Sequence, residues 1–548
     1  MKMGVGGAVA LLLASSAVAQ AKFDTAKISE DIRILSSDAY EGRGPATPGE
    51  EKSIAYIAHQ MQAAGLQPGG DLQAGGKRSW MQNVPLLRSE IKGTPTITLT
   101  TAAGKQSLIQ TQEIAVRSPQ DGTNRIDLKN VPLLFVGYGV TAPEKRWDDF
   151  KGLDVKGKLL VLLINDPDFE TGAGDFGGKA MTYYGRWTYK YEEAARRGAA
   201  GVLIVHETAP ASYGWATVKN SNTNVQFDVV RTDPKATHTP LEAWIQRDTA
   251  VAIFKAAGLD FDAAKKAAQG RDFQPIDLKA TLSTAIEADV SKIVSHNVVG
   301  RIEGSKYPKE TLLYTAHWDH LGIGVADARG DRIYNGASDN ASGTAGLIAM
   351  GAAFAKGPKP QRSVVFLAVT AEEKGLLGSE YYGTQPLYPL GTSVGVINTD
   401  GMNLFGPAKN FTISGAAKLG LLDALIEEGV KQGRSFTPEP HPEAGGFFRS
   451  DHFSFAKQGV PAISFKTGND LVDGGTAKGE ALSADYTRDR YHQPADEWRA
   501  DWVFTGAAKD LELLYALGQR LANDREWPNW SEDSEFRAKR DETAAMRK

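Results

Sequence analysis

From Asn297 onward, short and continuously apolar runs alternate with segments whose apolar residues have helical spacing. The apolar runs cover 297–302, 311–315, 363–369, 393–398 and 461–465, and helices are predicted over about 342–356, 419–431 and 502–521. Continuous apolar strands between helices are typical of a sheet that is covered on both faces. We therefore predict an α/β fold with a mixed, largely parallel central sheet and helices on both faces.

The pattern differs between about residues 115 and 285. Glycine-bounded, β-rich runs occur there at 131–140, 157–165 and 201–206, with one clear helix at 189–197. Because helix–strand alternation resumes only afterwards, we predict an inserted β-rich domain over 115–285. The main domain would then be discontinuous, over 22–114 and 286–525, and the charged C-terminal tail of 526–548 would be a solvated end.

The first 21 residues have the pattern of a cleavable secretory signal peptide. Lys2 precedes a short apolar run, and Ala17-Val18-Ala19 supplies small residues of the kind found at cleavage sites. The run is too short to remain as a membrane span, so no stable membrane anchor is expected. We predict export to the periplasm or the extracellular space.

The amino-acid composition limits which partners, catalytic groups and metal ligands are possible. The chain has 548 residues, of which 41% are apolar and 23% charged, as in globular proteins, and its net charge of −4 gives no reason to expect nucleic acid as a partner. It contains no cysteine, which excludes thiol catalysis, disulfides and thiolate metal sites. Histidine, aspartate and glutamate are the remaining strong metal ligands. The sequence does not predict the oligomeric state.

Such residues follow the predicted strands. His317, Asp339, the pair Glu372 and Glu373, and Asp400 lie at strand ends or in the loops after them. Ligands of parallel α/β sheets bind at the carboxyl ends of the strands, so this placement predicts a metal site.

Each residue taken alone has a second interpretation. Asp339 precedes a predicted helix and could cap it, and Glu372 and Glu373 could be exposed acids on a first helical turn. Adjacency does not decide which glutamate binds metal. Asp319, two residues after His317, is expected to accept the other imidazole N–H and so to fix the histidine tautomer.

Five short motifs in this order resemble the co-catalytic di-zinc aminopeptidases, metallopeptidase family twenty-eight. They are His317-Trp-Asp319, Ser338-Asp339-Asn-Ala-Ser-Gly343, Ala371-Glu372-Glu373-Lys-Gly, Asn398-Thr-Asp400-Gly-Met402 and Tyr491-His492-Gln-Pro-Ala-Asp496. The resemblance implies a secreted aminopeptidase that acts on peptides and uses two Zn²⁺ per chain. Within 115–285, the stretch 152–158 and the run 194–204 resemble the protease-associated domain that many members contain.

The same resemblance implies a role for each residue. Asp339 would bridge the two zinc ions, His317 and Asp400 would complete one site, and Glu373 and His492 the other. Glu372 would be the general base, and Tyr491 would donate to the developing oxyanion.

The sequence leaves four other functions to consider. Ser393 lies in a Gly-x-Ser-x-Gly pattern, but it precedes an apolar strand instead of following one, which disfavours a serine hydrolase. A zinc carboxypeptidase or a glutaminyl-cyclase-like enzyme could use the same scaffold. A non-catalytic receptor would be expected to have lost ligands, and all five are present.

The remaining candidates carry weaker signals. His320 and His452 could line the cleft or be structural, and Phe447 and Phe448 are candidates for a substrate pocket whose position the sequence does not give. The histidines at 59, 206 and 238 stand apart from other ligands. The preferred substrate side chain is not predicted.

Overall fold

The computed structural model describes residues 22–324 and 326–547. The predicted signal peptide lies outside this range. Among the described residues, no helix combines the length and apolarity needed to cross a membrane.

Two sheets share one long strand, Ile276–Ile302. Its second half belongs to what we name the main sheet and its first half to the second sheet. Across the main sheet the strands lie in the order Gln226–Val229, Met81–Ile91, Ile276–Ile302, Arg362–Val369, Tyr307–His317, Ser393–Thr399, Ala462–Thr467, Asn410–Ile413 and Ser435–Phe436.

The centre of the main sheet is parallel. Arg362–Val369, Tyr307–His317, Ser393–Thr399 and Ala462–Thr467 pair in parallel, whereas the strands before them in the sheet order pair antiparallel. These central strands are continuously apolar because both faces are covered. The predicted α/β class with a mixed, largely parallel sheet is confirmed.

Helices cover both faces of this sheet. One face packs on Thr25–Leu35, Pro48–Ala63, Gly343–Lys356, Gly420–Lys431 and Thr505–Asn523, and the other on Leu377–Thr384 and His452–Ala456. Gly343–Lys356 contacts the parallel strands and three of the other helices. Its small residues, among them Ala345 and Gly346, permit that close packing, and the helix starts four residues after Asp339.

The second sheet has the order Gly104–Leu108, Thr96–Thr101, Ile276–Ile302, Arg125–Phe135, Leu159–Leu163, Gly201–His206, Leu241–Gln246 and Ile114–Val116. It starts at Thr96, 19 residues before the boundary predicted at 115. In the other direction, Gln226–Val229 lies within 115–285 but pairs with the main sheet.

The region around the second sheet contains more helices than its sequence predicts. Besides the predicted helix, found at Trp187–Arg196, it carries Thr208–Ala211, Trp215–Asn222, Arg247–Ala256 and Phe261–Ala267. These helices are short, so each contains too few turns for a clear apolar periodicity. The remaining helices of the described chain are Gly475–Asp489 and Arg537–Asp541.

The C-terminal segment corrects one prediction. The chain beyond Trp527 is charged, yet it packs on the main domain instead of being a solvated end. Trp530 and Phe536 are buried in the main core, and the buried Arg540 guanidinium donates to the Ser393 carbonyl at 3.0 Å. These buried contacts attach the segment to the main domain.

Candidate metal centre

The main sheet brings the candidate residues together at one edge. His317 ends its strand and is in register with Val369 of the neighbouring strand, three residues before Glu372. Asp400 directly follows the parallel strand on the other side, Ser393–Thr399. The carboxyl ends of these three strands therefore present their side chains to one volume, as the strand pattern predicts.

Asp339 faces two histidines with its two carboxylate oxygens. Asp339 Oδ1 lies 3.3 Å from His317 Nε2, which is also 3.3 Å from Asp400 Oδ1. Asp339 Oδ2 lies 3.2 Å from His492 Nε2, which is 3.1 Å from Glu373 Oε2. The structure thus forms two adjacent ligand groups that share Asp339.

The structure places His320 beside these ligand groups, whereas the sequence did not decide between a position in the cleft and a structural role. Its Nδ1 lies 2.7 Å from Glu373 Oε1, and His320, Asp339 and Glu373 form a group able to hold a metal ion. Glu373 is therefore flanked by His320 on one oxygen and His492 on the other. The signal was its position three residues after His317 in the same loop.

The backbone around Asp339 is held from two sides. The Asp496 carboxylate accepts hydrogen bonds from the N–H groups of Ser338 and Asp339, both at 3.1 Å. Asn340 Oδ1 accepts from the N–H groups of Gly343 and Gly401, both at 2.9 Å. Asn340 therefore bonds the first turn of the helix, and the interpretation of Asp339 as a helix cap is not needed.

Arg43 fixes the loops behind the site. Its buried guanidinium donates to the carbonyl oxygens of Trp318, Leu35, Asn335 and Gly336, at 2.6–2.9 Å. These bonds tie the loop after His317 to the loop before Asp339. No role was predicted for Arg43 from the sequence.

Asp319 plays a different part from the predicted one. Its carboxylate accepts the backbone N–H groups of Glu372 at 3.0 Å and Glu373 at 3.4 Å. It lies 3.8 Å from His317 Nδ1, too far for a hydrogen bond, and that nitrogen is instead 3.1 Å from the Asp319 carbonyl oxygen. The carboxylate is directed to the glutamate turn, so the backbone carbonyl fixes the histidine tautomer.

The two glutamates have opposite electrostatic surroundings. Burial raises the pKa of Glu372 well above its usual range; His317, 4.0 Å away, opposes this shift, and the negative Asp400 and Glu373 add to it. Burial also acts to raise the pKa of Glu373, but the facing His492 and His320 outweigh it and lower that pKa. Glu372 is thus the carboxylate best suited to hold a proton.

Tyr491 lies at the rim. Its ring stacks on His492 with centroids 3.9 Å apart, and the residue is 46% exposed. It can therefore reach a ligand that enters from solvent.

The donor set fits zinc. Imidazole nitrogens and carboxylate oxygens are zinc ligands, and here several carboxylates are buried side by side, which is costly without cations between them. Among the described residues, both ring nitrogens of His320 and Glu373 Oε1 are buried without a geometrically acceptable hydrogen-bond partner. Such unsatisfied atoms, facing each other, are what a site for cations provides.

The other sequence candidates lie elsewhere. Ser393 begins its strand at the end opposite to Asp400, and its hydroxyl is bonded to Thr311 Oγ1 at 2.9 Å. Among the residues that the structure describes, no histidine bonds to this hydroxyl. Phe447 and Phe448 are buried in an aromatic cluster rather than open to a pocket, and His452 packs edge-on against Phe447 at 4.6 Å. His59 is exposed, His206 Nε2 lies 2.9 Å from the Tyr213 carbonyl, and His238 belongs to an ion-pair network.

Residues 297–516 match the sequence profile of peptidase family M28, and this span contains every predicted ligand. This family match covers 220 of the 548 residues of the chain. The chain is 29% identical over 137 residues to a probable zinc metalloprotease of Pyrenophora teres f. teres, and 33% identical over 104 residues to one of Pyricularia oryzae. These matches cover 25% and 19% of this chain and span 28% and 20% of the relatives' own lengths.

The fold extends beyond the M28 match. An aminopeptidase from Aneurinibacillus sp. strain AM-1 superposes with a TM-score of 0.51 at 18% identity, covering 92% of this chain and 96% of that one. At this identity the similarity shows the fold alone. It includes the region outside residues 297–516.

Proposed function

We propose that this protein belongs to peptidase family M28 and is a zinc aminopeptidase that removes N-terminal residues from peptides and uses two zinc ions per chain. The observation that carries the proposal is Asp339, whose two oxygens face His317 on one side and His492 on the other. One carboxylate shared by two ligand groups is what a two-metal site requires.

The residues divide into two sites and one base. His317, Asp339 and Asp400 would hold one zinc ion, and Asp339, Glu373 and His492 the other, with His320 beside Glu373. When bound, such ions polarise a carbonyl group and lower the pKa of water. Glu372, whose own pKa is raised by burial, would accept a proton and return it to the departing amine. Tyr491 would donate a hydrogen bond from the rim.

The organisation of the chain supports a second proposal. We take the region around the second sheet as a protease-associated-type domain inserted into the peptidase domain, because it has hydrophobic clusters of its own. Export to the periplasm or outside the cell rests on the signal-peptide pattern of residues 1–21. N-terminal sequencing of the secreted protein, with cleavage expected near Ala21, tests it.

The decisive test of activity is a panel of substrates assayed with and without a chelator. Peptides with a free N-terminus should be cleaved, N-acetylated peptides should not, and chelation should abolish cleavage. Metal analysis of the active protein should find two zinc ions per chain. Cleavage of N-blocked peptides from the C-terminus would favour a carboxypeptidase, and release of pyroglutamate from glutaminyl peptides a cyclase.

A further inference from the structure

His320 is a buried histidine whose ring nitrogens both lack an acceptable hydrogen-bond partner in the described part of the chain. Its side chain is 0% exposed, so bulk solvent does not satisfy these nitrogens. Buried polar atoms without a partner are uncommon in folded proteins, and a bound ion is one of the groups that can satisfy them.

The position of the His320 ring is fixed by two neighbouring loops. The His320 N–H donates to the Arg43 carbonyl at 3.2 Å, and the ring lies against the backbone of Gly336. A Cβ at Gly336 would lie 2.5 Å from His320 Cγ, so only glycine leaves room for the imidazole there. Asp339 follows three residues later. The ring is therefore held between the loop after His317 and the loop before Asp339.

This position directs the ring to the carboxylates of the metal centre. His320 Nδ1 lies 2.7 Å from Glu373 Oε1, but the direction of the contact does not fit a hydrogen bond, and both atoms remain unsatisfied. His320, Asp339 and Glu373 each offer one ligand atom, and these atoms lie within 4.8 Å of one another. The His492 ring lies 5.7 Å from the His320 ring, with its Nε2 3.1 Å from Glu373 Oε2.

His452 shows that burial alone does not make a ligand. It is also fully buried, and neither of its ring nitrogens has a hydrogen-bond partner among the described residues. However, its ring packs edge-on against Phe447, with centroids 4.6 Å apart, and His452 belongs to no group of described residues able to hold a metal ion. What distinguishes His320 is its place beside Glu373 and Asp339.

We propose that His320 is a direct ligand of the second zinc ion. This ion would then have four protein ligands, which are His320, Asp339, Glu373 and His492. The first ion has three, which are His317, Asp339 and Asp400. Four protein ligands close a zinc site, whereas three leave a position open for water or substrate. This inference rests on the proposed two-zinc centre and gives each site a different role.

The open site is the one beside the proposed general base. Glu372 Oε2 lies 4.0 Å from His317 Nε2, so the carboxylate that would accept a proton borders the site with three ligands. We therefore expect substrate to approach on the His317 side. The closed site should bind its ion more tightly and keep Asp339 and Glu373 in place.

The first test is the variant His320→Asn. An asparagine side chain places an N–H donor near the position of Nδ1 but is a poor zinc ligand, so it can keep a hydrogen bond to Glu373 and not a bond to the metal. His441→Asn, at a position 75% exposed, is the matched control. Competition with a chelator of known affinity measures the affinity of each zinc ion.

Wild-type protein should bind two zinc ions with unequal affinity. His320→Asn should weaken the tighter ion by more than about 100-fold, because loss of a residue that only orients a ligand typically costs roughly 10–100-fold. The weaker ion should change less than about tenfold, and His441→Asn should behave as wild type. A smaller loss in His320→Asn would overturn the assignment and make His320 a positioning residue for Glu373.

NMR of the cadmium-loaded wild-type protein examines the bond itself and does not depend on the folding of a variant. Cadmium replaces zinc, and in protein with isotopically labelled imidazoles it couples to the nitrogens that are bonded to it. Three histidines should show this coupling, and His320 should be one of them. Coupling from His317 and His492 alone would overturn the proposal.

Both measurements are independent of peptide cleavage. If the protein binds two ions through three histidines but cleaves no peptide, the aminopeptidase proposal fails and the His320 ligand stands. If it cleaves peptides and His320 shows no coupling to cadmium, the reverse holds. A chain that binds only one metal ion would overturn both the two-zinc centre and the role of His320.

Discussion

Two regions of this protein bury charged side chains, and the chain compensates them in different ways. In the second-sheet region, Lys190 is fully buried near Asp149 and Asp166, and its Nζ donates to the carbonyl oxygens of Tyr138 and Asn165 at 2.5 and 2.9 Å. In the metal centre, the carboxylates of Asp339, Glu372, Glu373 and Asp400 converge, and no lysine or arginine in the described part of the chain pairs with any of them.

The two regions differ in which groups satisfy the hydrogen-bonding atoms of the buried carboxylates. Asp149 accepts hydrogen bonds from Val140 N and Trp147 Nε1, and Asp166 accepts two from Thr182, all at 2.8–3.0 Å. The Lys190 cluster is thus complete in itself. The metal centre leaves Glu373 Oε1 unsatisfied, as expected if cations complete it. We infer that the fully hydrogen-bonded Lys190 cluster stabilises the fold, whereas the incompletely bonded metal centre is arranged to bind a ligand.

The strongest way to break this comparison is to remove the shared ligand of the metal centre. Asp339→Ala takes away the oxygens that face both histidines, so both zinc ions should be lost together with activity, by a factor of about 10³ or more. Metal analysis and peptide hydrolysis measure this. Retention of two zinc ions in a folded variant would show that Asp339 is not shared.

Replacing Glu372, the proposed general base, should separate metal binding from turnover. Glu372→Gln keeps the size of the side chain but cannot accept a proton, so kcat should fall by roughly 10²–10⁴ while two zinc ions stay bound. Steady-state kinetics and metal analysis on the same preparation provide the comparison. An active variant would contradict the role given to Glu372.

Much of the metal centre could be predicted because its residues lie next to apolar strands or within short motifs that are recognisable in the sequence. The apolar strands ending at His317 and before Glu372 set those side chains at one sheet edge, and the motif around His492 gave the distant ligand. The Asp319 prediction was wrong in detail because the backbone N–H groups of the Glu372 turn compete for its carboxylate, and sequence does not show that geometry.

The complementary change is made in the complete cluster. Lys190→Met removes a buried charge and leaves the Tyr138 and Asn165 carbonyl groups without a donor, so we expect the free energy of unfolding to fall by about 3–5 kcal/mol. Zinc content of the folded variant should not change. Denaturant unfolding measures the loss, and Lys129→Met, at a position 80% exposed, is the control that should change little.

Replacing Asp319 should have a smaller effect. The hydrogen bonds of its carboxylate are satisfied, as in the Lys190 cluster, but the residue lies inside the metal centre. Asp319→Asn keeps the size of the side chain but turns one of its two acceptor oxygens into a donor facing the Glu372 and Glu373 N–H groups. The glutamate turn should loosen, and zinc affinity should fall about 10–100-fold. Competition with a chelator of known affinity measures this. An unchanged affinity would mean that the backbone carbonyl of residue 319 alone maintains the site.

The smallest expected effect concerns a third buried group, which joins the two sheets. His238 lies 3.0 Å from Asp228 of the main sheet and 2.9 Å from Glu242 of the second sheet, and Arg231 and Arg117 pair with these two carboxylates. Burial opposes the charge on His238, but Glu242 and Asp228 outweigh it and raise its pKa to about 10.

A folded-state pKa above the unfolded value of about 6.5 means that the contribution to stability is complete below pH 6.5 and is lost as the pH rises toward 10. His238→Gln should therefore lower Tm by several degrees at pH 6, and the gap to wild type should narrow by pH 10. Thermal unfolding across this range measures the gap. A gap independent of pH would show that His238 acts through packing alone, and the link between the sheets would then be neutral rather than ionic.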